Sequence, residues 1–477
     1  MSQSRLCRWW PKTGVSLLAL GVLSAGPIAR SAEATTNATQ GADKPATFAR
    51  DVAPILQQKC QVCHRPGSMG PMSLMTYEDV RPWARAIKER VARREMPPWH
   101  LDKTVGIQRF INDPSLTDEQ IDTIVRWVDA GAPLGNPKDM PAPKQWANED
   151  TWQLSATLGP PDFIVKAPAW TMTPHAQDAW PRPVVETGLP ESRWIRAVET
   201  KPSHRGRRIL HHASTRLVQA EDGAVVEAER AMRRGEGSVE AVLTASRQRD
   251  GKATEVMETF TEWAIGKGGE IYPPNTGKLV KPGSKVVFLL HYHAVGEEIT
   301  DVAEMGFWFY PKEYVPKYSV DFVPVGASGP GNTADTFELP PGTVTQHQGS
   351  YTLPAPAIVH NFQPHMHMRG KAFAMEAIFP DGRRELLNHV DRFDSNWHIN
   401  YIYDPDAAPV LPKGTVLQIT AWHDNTSANR NNPDPRQFVR YGPRTIDEMA
   451  QANTQLIFIT DEDYRRITAD RKKRPAQ

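Results

Sequence analysis

Beyond about residue 160 the chain alternates apolar and polar positions in short runs broken by proline and glycine. Trp194-Ile195-Arg196-Ala197-Val198, Lys285-Val286-Val287-Phe288-Leu289-Leu290, Met305-Gly306-Phe307-Trp308-Phe309 and Thr415-Val416-Leu417-Gln418-Ile419-Thr420 are typical. A period of two on strand-forming residues predicts half-buried β-strands, and their spacing between turn residues predicts all-β antiparallel sandwiches. The stretch holds more chain than one sandwich uses, so two are expected, over 161–318 and 319–477. One part breaks the pattern. Residues 217–256, with Glu227, Glu229, Arg230, Arg233 and Arg234, are charged and polar and read as a long surface excursion from a hairpin.

Before residue 136 the period becomes helical. Thr117 with Gln120 three residues on is a capping box, and Ile121, Ile124, Val125 and Val128 form an apolar stripe that stops at Gly131. This helix closes a small all-α domain over 45–135. Pro137, Pro141 and Pro143 then mark 136–160 as a proline-rich linker. At the N-terminus, Arg5, Arg8 and Lys12 precede the apolar run Val15–Leu23 and an Ala-x-Ala pattern at Ala32-Glu33-Ala34. The run is too short to span a bilayer, so 1–34 reads as a secretory signal peptide, and the product is expected to be exported, periplasmic or secreted, with no membrane span.

Composition narrows the partners. Lys and Arg number 56 against 55 Asp and Glu, a net charge of +1, which gives no reason to expect nucleic acid or an anionic membrane as partner. Of three cysteines, Cys7 precedes the apolar run of the leader, leaving only Cys60 and Cys63, too few for a disulfide framework. They stand in Cys60-Gln61-Val62-Cys63-His64. Cys-x-x-Cys-His is the attachment signature of a c-type haem, the thiols closing thioether bonds and the His becoming the proximal iron ligand. Met69, Met72, Met75, Met96 and His100 are candidates for the distal position. Met96 is preferred, because Pro97 and Pro98 pin an extended loop around it. Arrangement and spacing resemble the small class I cytochromes c.

The sandwich region carries donors of a second kind. His211-His212 ends Arg208-Ile209-Leu210; His291-Tyr292-His293 ends an apolar strand; His365-Met366-His367 follows Phe362-Gln363-Pro364; Met449 follows Asp447-Glu448. On a strand His365 and His367 would share a face. Adjacent histidines would not, and His211 and His212 can reach one ion only where the strand ends or bulges. Imidazole and thioether together suit copper, the thioether favouring copper(I). His360, His389, His398 and His423 are first read as ordinary strand histidines, with His423 the one candidate to support the ligands from behind.

These four motifs, in this order from about Pro160 to Phe458, resemble the type 2 copper, ascorbate-dependent monooxygenases, the family of peptidylglycine hydroxylating and dopamine beta-monooxygenases. The resemblance implies two eight-stranded, jelly-roll-like sandwiches, each holding one copper, with a solvent-filled cleft between. It implies His211, His212 and His291 as the electron-transfer site, and His365, His367 and Met449 as the site where dioxygen is activated and substrate hydroxylated. His293 has no counterpart in it. The peptide-amidating members place Arg two residues before the His-x-His and Tyr four after the Met to grip the substrate carboxylate; here those positions hold Gln363 and Asn453, so a C-terminal glycine peptide is not the expected substrate. The expected protein is thus multidomain: a cytochrome c domain, then two sandwiches. Its expected activity is a haem- and copper-dependent hydroxylation of a small organic molecule by dioxygen. Electrons would come from ascorbate or a periplasmic donor protein, entering through the haem. The alternative is a copper-binding electron-transfer or copper-handling protein that hydroxylates nothing.

Overall fold

The computed structural model describes residues 45–473, apart from 67, 69, 147–149, 249–252, 265–266 and 328–336. The expected leader over 1–34 and Met69 lie outside the described residues. What is described is mostly β-sheet with few helices, in an arrangement consistent with β-sandwiches. None of its helices is long and apolar enough to cross a membrane.

The helices α1 (Ala53–Lys59), α2 (Ala84–Ala92) and α3 (Asp118–Asp129) pack around Phe48, Leu56, Val91, Ile124 and Trp127, a core separate from that of the sheets. α3 begins as its pattern predicts. Gln120 N donates to Thr117 Oγ1 at 3.2 Å and Thr117 N to Gln120 Oε1 at 3.0 Å, which satisfies two otherwise orphaned amides. Between α2 and α3 the chain leaves the helices and joins the C-terminal sheets. Trp99 packs edge-on against Tyr401 at 4.6 Å, Phe110 stacks on Tyr403 at 5.2 Å, and Asn112 Nδ2 donates to the Asn400 carbonyl at 2.6 Å.

In the N-terminal half of the β region, β1 (Val184–Glu186), β2 (Leu210–Asp222), β3 (Ala253–Ala264) and β4 (Lys285–Tyr292) form one antiparallel sheet in the order β1-β4-β2-β3. Opposite it, Phe163–Lys166, Glu304–Phe309, Arg193–Lys201 and Thr276–Val280 pair in that order. Alternation does the packing: Val286, Phe288 and Leu290 of β4 are buried, and Phe260 of β3 meets Phe307 of the facing sheet at 5.9 Å. The end of the proline-rich segment docks here too, with Trp152 edge-on to Trp308 at 6.0 Å and Glu199 accepting from the amides of Gln153 and Leu154 at 2.9 and 3.0 Å.

The 217–256 excursion divides differently from its expectation. Residues up to Asp222 and from Ala253 continue β2 and β3 as a long hairpin, and only its tip is helical: α4 (Gly223–Arg233) and α5 (Val239–Gln248). Asp222 caps α4 by accepting from Ala224 N at 3.1 Å, while Val226, Met232 and Val239 are buried. Those three apolar residues are too sparse to announce a helical pair among the surrounding charges.

In the C-terminal half, β5 (Asn361–His365), β6 (Gly370–Ile378), β7 (Val416–Asp424) and β8 (Gln451–Phe458) supply the central strands of two sheets. β8 pairs with β5, Ala357–Val359 and Asp321–Gly326; β6 and β7 pair with each other and are flanked by Arg384–Val390 and Val344–Thr352. Phe362 of β5 faces Phe373 of β6 at 5.9 Å across this core. The two halves meet through buried polar groups. Lys267 pairs with Glu270 at 2.7 Å and donates to Gln363 Oε1 at 3.2 Å, and Asn453 Nδ2 donates to Glu262 Oε2 at 2.7 Å.

Candidate metal centre

The β2–β4 pairing places the first histidines. His212 lies opposite His291, and the register slips between Leu210 and His212. This irregularity at His211 is the bulge that two adjacent histidines need in order to face one ion. His211 Nδ1 and His212 Nδ1 are 3.2 Å apart, and donor atoms of His211, His212 and His291 all lie within 4.8 Å of one another, the only such set of three His, Cys, Asp or Glu donors among the described residues. His291 Nε2 donates to Asp178 Oδ2 at 2.9 Å, and Trp180 stacks on the ring at 4.9 Å. Its Nδ1 is buried without a hydrogen-bond partner. A buried ring nitrogen without a partner, in a ring packed beside two other imidazoles, is available to a metal ion. Burial, and then its histidine neighbours, push the His211 imidazole down to about 4, so it is neutral and free to coordinate at neutral pH.

His365 is the last residue of β5, whereas His367 stands in the turn that follows, so the two do not share a regular strand. Other groups hold His367. Glu448 accepts from His367 N at 2.9 Å and from Arg369 N at 2.6 Å, and His367 Nδ1 donates to the Asp447 carbonyl at 3.0 Å, which leaves Nε2 as the free donor. Buried Arg369 locks the far end of the turn, its Nε donating to Asn425 Oδ1 at 3.0 Å. Burial raises the Glu448 carboxyl to about 7 against these amides. His423 is fully buried and its Nε2 donates to the Met449 carbonyl at 3.1 Å. The His365 and His367 rings are 5.3 Å apart.

The two sets do not face each other across an open cleft. Ring centroids of His212 and His365 are 6.1 Å apart, and one cavity of about 380 Å³ is lined by His212 and His291 from one half and His365, His367 and Met449 from the other. The polar contacts between Lys267, Glu262, Gln363 and Asn453 close the halves at this point. Gln363 and Asn453 therefore tie the halves together. His293 lies at 5.9 Å from His211. A further histidine, His398, read from its position as an ordinary strand histidine, also lines the cavity, its ring 4.9 Å from His365.

In the helical segment, Cys60, Cys63 and His64 form one turn, with His64 N donating to the Cys60 carbonyl at 2.9 Å. Burial pushes the Cys60 thiol up to about 12, which ill suits it to thiolate chemistry. His64 Nδ1 donates to the Met72 carbonyl at 3.2 Å, leaving Nε2 for a ligand. Gly70 is required beside it: a Cβ there would stand 2.7 Å from His64 Nδ1. Met96 lines a cavity of about 790 Å³ with Lys59, Val91, Leu116 and Ile121. Cys60, Cys63 and His64 do not line this cavity, so they fit a covalently attached haem by donor chemistry alone. His100 instead lies within electrostatic reach of Asp394, Arg392 and Asp391.

No protein-family profile and no curated protein matches the chain. Among solved structures it aligns with the major capsid protein P2 from bacteriophage PM2 (10% identity, 59% of this chain and 99% of that one, TM-score 0.23). It also aligns with allantoicase from Saccharomyces cerevisiae (8% identity, 61% and 81%, TM-score 0.16) and a Paenibacillus xanthan lyase (10% identity, 68% and 29%, TM-score 0.15). At such TM-scores these likenesses carry no argument about function.

Proposed function

We propose that the chain is an exported haem- and copper-dependent monooxygenase that hydroxylates a C–H bond of a small organic molecule, similar in its site to the type 2 copper, ascorbate-dependent monooxygenases. The observation that supports this most is the single cavity into which two sandwiches deliver His212, His291, His365, His367 and Met449 together. The balance is R–H plus dioxygen, two electrons and two protons giving R–OH and water. Copper held by His211, His212 and His291 and by His365, His367 and Met449 would supply one-electron redox steps and an open position for dioxygen. A haem on Cys60, Cys63, His64 and Met96 would be a one-electron store on the same chain, filled by ascorbate or a periplasmic donor.

The residues of the chain do the rest. Asp178 fixes the His291 tautomer, and Glu448 holds the backbone that presents His367. Trp180, Trp263 and Tyr441 give the cavity aromatic wall, and its volume takes a small molecule. Since Gln363 is bonded to Lys267 and Asn453 to Glu262, no ready clamp for a peptide carboxylate remains there.

Oxygen uptake by the copper-loaded chain with ascorbate tests this, using labelled dioxygen and a library of small amines, peptides and aromatics read by mass spectrometry. One labelled oxygen atom in the product is expected. Met449→Ala should lower coupled uptake about 100-fold or more while the first copper stays bound. A loaded chain that consumes no oxygen with any reductant, or a Met449→Ala variant as active as the parent, overturns the proposal.

A further inference from the structure

His398 has no counterpart among the motifs that define the two copper sets, yet it is placed with care. Trp397 N donates to the Asp394 carbonyl at 3.0 Å on one side. On the other, Asn400 accepts from Asn361 Nδ2 at 2.5 Å through its side chain and from Asn112 Nδ2 at 2.6 Å through its backbone. A loop pinned on both sides holds its side chain in one place, as a preorganised ligand requires. The residue is 4% exposed and lines the shared cavity.

Its partner is the informative point. A buried histidine is ordinarily satisfied by a carbonyl, a carboxylate or water. The recorded hydrogen-bond partner of His398 is another imidazole nitrogen, His365 Nδ1, at 3.2 Å from its own Nδ1. That spacing repeats the one between His211 Nδ1 and His212 Nδ1, which belong to the closest donor set in the described structure. Two nitrogens each about 2.0 Å from one tetrahedral ion stand about 3.3 Å apart, so both pairs have the span of one edge of such a site. The rings of His211 and His212 lie 5.9 and 6.3 Å from His398.

We propose that His398 is a copper ligand of the second centre, forming a two-nitrogen clip with His365 beside His367 and Met449. This rests on the copper reading above and adds a donor to it. The second centre would then offer three histidines and a thioether, of which only the pair of His365 and His398 stands at ligand spacing, the three imidazoles not all lying within 4.8 Å of one another. A third imidazole stabilises copper(II) relative to copper(I), against the preference of the thioether. Its removal should therefore weaken copper(II) more than copper(I).

The experiment uses the full haem-loaded chain titrated with copper against a chelating competitor, together with X-ray absorption at the copper edge. His398→Ala and His398→Gln should keep the haem and the first copper, bind the second copper(II) about tenfold or more weakly, and show fewer histidine ligands per copper. Added imidazole should restore part of the loss in His398→Ala, and His389→Ala should change nothing. In a His211→Ala/His212→Ala background, which isolates the second centre without altering His398, the remaining copper should show three histidine ligands. That measurement decides the matter even if His398→Ala fails to fold. Two histidine ligands there, or a His398→Ala chain with the parent's copper affinity and histidine scattering, overturns the role of His398 and leaves the copper reading standing. A parent chain that binds no copper overturns the copper reading itself.

Discussion

His291 gives its two ring nitrogens different duties. Nε2 donates to Asp178, which fixes the tautomer and leaves Nδ1 bare in a ring that packs beside those of His211 and His212. A carboxylate behind a histidine also makes the coordinating nitrogen more basic. Asp178→Ala should therefore weaken copper at the first set by about 10–100-fold while the second is unchanged, as read by competition titration. Equal affinity would mean that the aspartate merely neighbours the ring. At this scale the sequence was legible only as far as position: His212, His291, His365, His367 and Met449 line one cavity, and His211 clusters with His212 and His291. Asp178, Glu448 and His398 could not be read as partners. Each meets its histidine across 113, 81 and 33 residues respectively, and neither strand period nor spacing encodes such a meeting.

Among elements, alternation correctly announced the strands of both halves, because a strand buried on one face must repeat every two residues. It failed where the chain changes habit. His367 leaves the strand that holds His365, since two hydrogen bonds to Glu448 and the buried Arg369 favour a turn there. The segment around Trp99–Phe110, expected within the helical domain, adds aromatic packing to the C-terminal sheets instead. The C-terminal helix Asp461–Lys473 shows how such an element is fastened. Burial would raise the carboxyl of Asp463, but hydrogen bonds from Lys317, Tyr318 and Arg466 outweigh it and hold the group below the usual carboxylate range. A carboxyl depressed in the folded state stabilises above its unfolded value, about 3.9, and loses that contribution as pH falls through the folded value. Asp463→Asn should thus cost about 2 kcal/mol at pH 7, and the gap between the parent and the variant should close below about pH 4. Urea midpoints at a series of pH values measure this; a pH-independent gap would assign the effect to packing.

For the whole molecule, the question is what keeps the two histidine-bearing halves against each other. The sequence predicted two sandwiches but not that they close, because the groups that close them are ordinary polar residues whose partners lie far along the chain. Lys267 is buried between the carboxylate of Glu270 and the amide oxygen of Gln363, with Glu262 close by and bonded to Asn453. A buried cation of this kind adds little over an apolar replacement of the whole pair, but its loss alone leaves carboxylates without compensation. Lys267→Met should therefore destabilise the fold by about 3–5 kcal/mol. Lys267→Met/Glu270→Gln should recover part of that, since one of the stranded charges is then gone. The same variants carry a second readout. If Lys267 holds the halves together at the cavity, Lys267→Met with copper bound should show a longer separation between the two copper(II) ions by dipolar electron resonance. A variant that is less stable in urea but keeps the parent's metal separation would show that Lys267 supports the core of one sandwich and does not set how the two meet.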